Sequence, residues 1–100
     1  MNIAKMMAQA KAMKSEMDKA QKEINALCVE GRAKNGLVTV VLKGDGTMED
    51  LRIAHDILTN HQDMVAELVV MAYGDAFEKI NTAKATIMQR VQGGMPSLPF

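Results

Sequence analysis

Residues 3–27 carry one uninterrupted heptad, in which Ile3, Met6, Ala10, Met13, Met17, Ala20, Ile24 and Leu27 recur at alternating spacings of three and four. Only a single long helix places all eight on one stripe, and a stripe of that period is made to meet another helix. At about 1.5 Å per residue the segment predicts a rod of roughly 37 Å. The stripe is soft, because Met and Ala hold five of its eight positions. Lys5, Lys11, Lys19 and Lys22 fall on the outward b, c and f positions, and Lys14 flanks the stripe. One face of such a rod can dock while the other meets something anionic.

After Leu27 the period falls to two. Cys28 to Ala33 reads as a short strand, and Asn35-Gly36 as a type I′ hairpin turn, whose two positive φ angles Asn and Gly adopt at little cost. Leu37 to Lys43 is the best strand of the chain, rich in β-branched residues. Val38, Val40 and Leu42 share one of its faces and Leu37, Thr39 and Val41 the other. Both faces are largely apolar, so each asks for cover, and a second subunit is the simplest source for one of them. Gly44-Asp45-Gly46 makes a turn, Met48 to Ala54 alternates as a third strand, and His55 to Thr59 reads as a connector or a single helical turn. Asn60, with Asp63 three residues on, predicts the N-cap of a second long helix. Its stripe runs through Val65, Leu68, Val69, Ala72, Ala76, Phe77, Ile80, Ala83, Ile87 and Val91 to Gly93-Gly94. Gly74 interrupts it.

The expectation is an α+β domain over 1–92, ordered α-β-β-β-α with a three-stranded antiparallel sheet between two long helices, and a flexible tail over 93–100 that prolines keep irregular. Three aromatics and ten methionines give a small, adaptable core, which favours oligomerisation. Cys28 is alone, which points to a reducing compartment without disulfides. No secretory h-region and no run of about 18 apolar residues is visible, so a cytoplasmic chain with no membrane span is expected.

Across the chain, Gln9-Ala10, Met13, Met17, Gln21 and Glu23-Ile24 are followed by Gly31, Gly36-Leu37-Val38, Val40 and Gly44. Ile53, Leu58, Glu67-Leu68-Val69, Ala72, Asp75-Ala76 and Gly93-Gly94-Met95-Pro96 complete the set. In this order and spacing the sequence resembles the YbaB/EbfC family of small bacterial nucleoid-associated proteins. It departs at Ala54, where many members carry Asp, and at Gly74, where many carry Asn. The resemblance implies a homodimer joined through its sheets, with helices projecting like the arms of a tweezer, and a DNA-binding role for those helices.

Formal net charge is zero, which excludes a histone-like polycation, yet residues 1–27 hold five lysines against Glu16, Asp18 and Glu23, a balance of +2. The candidate DNA contacts are Lys5, Lys11, Lys14, Lys19 and Lys22 on the rod, with Arg32 and Lys34 flanking the hairpin tip. Lys79, Lys84 and Arg90 are secondary candidates. No helix-turn-helix, zinc-finger set or aromatic platform is present, so binding of double-stranded DNA through its backbone, with low sequence selectivity, is expected. His55, His61 and Cys28 have no recognised metal-ligand spacing, Cys28 is read as packed at the end of the stripe, and no catalytic motif occurs. Neither a cofactor nor a small-molecule substrate is expected, and the chain is not read as an enzyme. A non-DNA alternative remains: an adaptor or small holdase whose Met-rich stripe captures partner helices.

Overall fold

In the computed structural model, which describes residues 2–93, the first helix begins where Asn2 accepts a hydrogen bond from the Lys5 amide through Oδ1 at 3.3 Å. This helix, α1, spans Ile3–Asn25. Three strands follow, β1 (Cys28–Ala33), β2 (Val38–Lys43) and β3 (Met48–Ile53), then a short helix α2 (His55–Asn60). A 3-10 turn over Gln62–Met64 leads into α3 (Val65–Gly93). The strands form one antiparallel sheet in the order β1-β2-β3. This is the expected α+β architecture.

Alternation along β2 decides the layers. Val38, Val40 and Leu42 are wholly buried on the inner face, where α3 lies across β1 and β2 with Leu68, Ala72, Ala76 and Ile80. Each large side chain buried this way contributes about 1.5–3 kcal/mol. The approach is close because β1 offers Gly31 there: a Cβ on it would sit 2.1 Å from the Ala72 carbonyl oxygen. At the far end of α3, Ile87 and Val91 pack on Ala20 and Ile24 of α1. Gly44 receives the end of α1 in the same manner, with Ile24 O 1.6 Å from where its Cβ would stand. The result is a slender molecule of 71 × 21 × 15 Å, with the sheet at one end and α1 extending from it.

Several expectations change. The outer face of β2 does not wait for a second subunit: Thr39 and Val41 are 8% and 7% exposed in the single chain. Their cover is charged. Glu30 and Arg32 flank them on β1, Asp50 and Arg52 on β3, and Arg52 bridges over β2 to Glu30 at 3.8 Å. The hairpin turn is displaced by one residue. Lys34 and Asn35 carry the paired positive φ angles (51° and 58°), Gly36 adds a third, and the Gly36 amide donates to the Ala33 carbonyl. Asn60 does not cap α3; it ends α2 and its amide donates to Asp56. Phe77 turns away from the core and is 47% exposed. Cys28 is exposed on the outer face of the sheet rather than packed at the end of the stripe. The expected tail lies, apart from Gly93, outside the described residues.

Candidate nucleic-acid interface

Helix α1 is rich in Ala, Met, Lys and Gln, all good helix formers, which lets it persist where nothing packs on it. Its 23 residues span about 34 Å. Only Ala20 and Ile24 are buried, and Ile3, Met6, Met13 and Met17 on the same stripe are exposed. The stripe therefore fixes which way the lysines point. At about 100° per residue, Lys11 and Lys22 stand directly opposite Ala20 and Ile24, Lys14 and Lys19 stand to either side of them, and Lys5 is further round.

All five lysines are exposed. Among the described residues no carboxylate lies within 4.0 Å of Lys5, Lys11, Lys14 or Lys22, whereas Lys19 sits 3.6 Å from Glu16. Both partners of that pair are well exposed, so it holds Lys19 only weakly. Of the three acids that dilute the rod, Glu23 is engaged by Arg90 of α3, which leaves Asp18 as the acid on the lysine face. The ammonium groups are presented to solvent, as phosphate contact requires.

Arg32 and Lys34 are not brought to the rod. α1 meets the sheet at Gly44, while the β1–β2 hairpin closes at the opposite end of strands that span about 20 Å. The Arg32 guanidinium is also held by Glu30 at 3.0 Å on the outer face. Lys34 is exposed at the hairpin tip, alone of the two in being free of a carboxylate among the described residues.

The secondary cations have mostly structural work. Lys79 donates to the Glu30 carbonyl at 2.8 Å and pairs with Asp75 at 3.1 Å. Asp75 in turn accepts the Arg32 amide at 2.9 Å, and that bond, then Lys79, holds its carboxyl below the usual carboxylate range. Arg90 binds Glu23, and Lys84 is half-buried. The acid-before-base spacing of Asp75 and Lys79 was visible in the sequence, but not the strand it grips. The Cys28 thiol donates to Glu49, and that carboxylate pushes its pKa up, the opposite of what a nucleophilic thiol needs.

The model of the YbaB/EbfC DNA-binding family matches residues 1–95. A nucleoid-associated protein of Enterococcus faecalis is 40% identical over 96 residues, which cover 95% of this chain and 92% of that protein. One from Agrobacterium fabrum is 39% identical over 99 residues, covering 98% and 92%. Among solved structures, that of an uncharacterized protein from Helicobacter pylori shares the fold with a TM-score of 0.73 at 17% identity, over 92% of this chain and 98% of that one. With a family match that runs from the start of the rod to the end of α3, the chain belongs to the YbaB/EbfC DNA-binding family.

Proposed function

We propose that this chain is a nucleoid-associated DNA-binding protein that grips duplex DNA as a homodimer, chiefly through the phosphate backbone and with low sequence selectivity, and performs no catalysis. Family membership and relatives named nucleoid-associated proteins support the DNA-binding role. The observation that carries the choice of surface is the freedom of Lys11 and Lys22, which project from α1 away from its packed side, with Lys14 unpaired beside them among the described residues. Backbone contact follows from residue type: lysine offers a mobile point charge, α1 carries no arginine fork, and the Gln21 side-chain amide beside Lys14 is donated to Asn25 at 2.9 Å. Unburied Tyr73 and Phe77, each at least 36% exposed, support a dimer, and relatives named nucleoid-associated proteins support a place at the nucleoid in the cytoplasm.

The test is a gel-shift titration with Lys11→Glu/Lys22→Glu at several salt concentrations. Affinity should fall by more than tenfold at low salt. In a dimer the variant removes four contacts, so the log–log salt slope should shrink by up to about 3.6. The melting temperature should stay where it was. Unchanged affinity would remove the rod from the interface, and sedimentation as a folded monomer at micromolar concentration would remove the dimer.

A second reading rests on the exposed Met6, Met13 and Met17. An adaptor that captures helices would bind its partner in a salt-tolerant way, and would lose it on Met13→Lys/Met17→Lys while the lysine variant kept it.

A further inference from the structure

The two edges of the sheet are treated differently. On β1 two of the outward backbone groups are occupied, since Asp75 accepts the Arg32 amide and Lys79 donates to the Glu30 carbonyl. This blunts an edge that would otherwise template pairing. On β3 the Ala54 amide bonds the Leu37 carbonyl across the β2 side, so by alternation Asp50 and Arg52 turn their backbone groups to β2. Leu51 and Ile53 turn theirs outward, the alternation ending at the irregularity around Glu49, and among the described residues no strand pairs with them. The outward Leu51 amide is met only by the side chain of its neighbour Asp50, at 2.9 Å.

We propose that the free edge of β3 is a self-association surface at which two copies pair antiparallel about Leu51. The sequence around that residue is complementary to itself. A two-fold axis through Leu51 sets Asp50 opposite the partner's Arg52 and Arg52 opposite the partner's Asp50, on the same outer face. Opposite charges directly across an antiparallel pair stabilise it, and like charges oppose it. Each copy holds the two groups together in waiting, with Arg52 Nε 2.9 Å from Asp50 Oδ2. On pairing, Asp50 exchanges the Leu51 amide for the partner's guanidinium, and the amide takes the partner's carbonyl. The inner face contributes apolar area, because Leu51 and Met48 are each 40% exposed where α3 leaves β3 uncovered.

The symmetry distinguishes this contact from a tweezer-like dimer. Such a dimer needs an axis along the rods, whereas pairing at β3 has its axis normal to the sheet and sends the two rods in opposite directions. Copies using both contacts would form a chain with lysine rods on two sides, a geometry suited to holding two duplexes. That consequence rests on the DNA-binding reading above; the edge pairing itself does not.

The experiment uses the full chain with Cys28→Ser and Leu51→Cys. A hydrogen-bonded antiparallel pair sets Cα atoms about 5.5 Å apart, within the range a disulfide spans. Mild oxidation should therefore link two copies covalently. In uncrosslinked protein, Asp50→Arg or Arg52→Asp alone should weaken association at this contact by about tenfold, since each places two like-charged pairs across the axis. An equimolar mixture of the two variants should restore it, because each then faces its complement. Absence of the disulfide at concentrations where the protein sediments above monomer, or no recovery on mixing, overturns the proposal. So does a wild-type chain that stays monomeric throughout. Lysine-dependent gel shifts would survive any of these failures, and a Leu51→Cys disulfide would survive failure of the gel shift.

Discussion

Across the sheet, Val38, Val40 and Leu42 have no exposed surface, while along α1 only Ala20 and Ile24 are buried on a stripe that reaches back to Ile3. The sheet end is closed within one chain: α3 covers its inner face, a charged lattice covers the outer one, and Asp75 with Lys79 occupies one edge. The rod has one short patch of packing and then runs on by its own helical propensity. Stability therefore resides in the sheet end, and the charge that would hold DNA in the rod. Substitutions at the two ends should separate these properties.

The largest effect is expected at Gly31. A Cβ there meets the Ala72 carbonyl oxygen at 2.1 Å and the Ala76 nitrogen at 2.3 Å, both backbone, so neither can rotate aside. Gly31→Ala should cost about 3 kcal/mol or more, read as a fall in the urea midpoint. An unaltered midpoint would mean that α3 does not lie on β1 as described. Next is Ile24, which holds the rod from its 8%-exposed site against Ile87 and Val91. Ile24→Ala should cost about 2–3 kcal/mol. Hydrogen exchange should quicken in α1 while β2 stays protected; equal loss at both ends would show that rod and sheet unfold as one unit.

Two smaller changes should strengthen the sheet end without touching the rod. Gly74 is exposed mid-helix, and nothing lies within 4 Å of where its Cβ would be, so Gly74→Ala should add about 1 kcal/mol. Ala54 precedes α2 and offers no side-chain cap, so Ala54→Asp, the residue common in the family at this position, should add about 0.5–1 kcal/mol. Both are checked by denaturant midpoints, and DNA affinity should not follow them.

Local pattern made much of this legible. The period of two from Cys28 to Ala33 gave the limits of β1, and the apolar stripe of α3 predicted Leu68, Ala72, Ala76 and Ile80 as core. The lysine positions on α1 follow from helical geometry alone. What escaped depends on residues distant in sequence. Arg90 reaches Glu23 across 67 positions, Asp75 reaches the Arg32 amide across 43, and Arg52 bridges to Glu30 over an intervening strand. An alternating apolar and β-branched strand such as β2 cannot reveal whether its second face is roofed by a partner or by its neighbours' charges. The one-residue displacement of the hairpin turn has a local reason: a second non-glycine residue, Lys34, joins Asn35 in accepting a left-handed φ angle, a cost of about 1–2 kcal/mol for most side chains.

The mildest test concerns the hold of α3 on the β1 edge and uses pH. The Arg32 amide and Lys79 stabilise ionised Asp75, so its pKa in the folded protein lies below the ordinary 3.8. A depressed carboxyl contributes stability above the pKa it has when unfolded and loses it as pH falls through the folded value. The contribution is therefore complete at neutral pH and fades in acid below about pH 4. Asp45, lowered in the same sense chiefly by the Thr47 amide, titrates alongside it, so wild type alone cannot isolate the effect. Asp75→Asn keeps an acceptor for the Arg32 amide but removes the charge, while Asp45 remains in both proteins and cancels. Urea midpoints of the two should differ at pH 7 and converge on acidification. Parallel curves would mean that the β1 edge is held by the hydrogen bond rather than by the ionised carboxylate, and the contrast between a charge-locked edge at β1 and a free one at β3 would then have to rest on geometry alone.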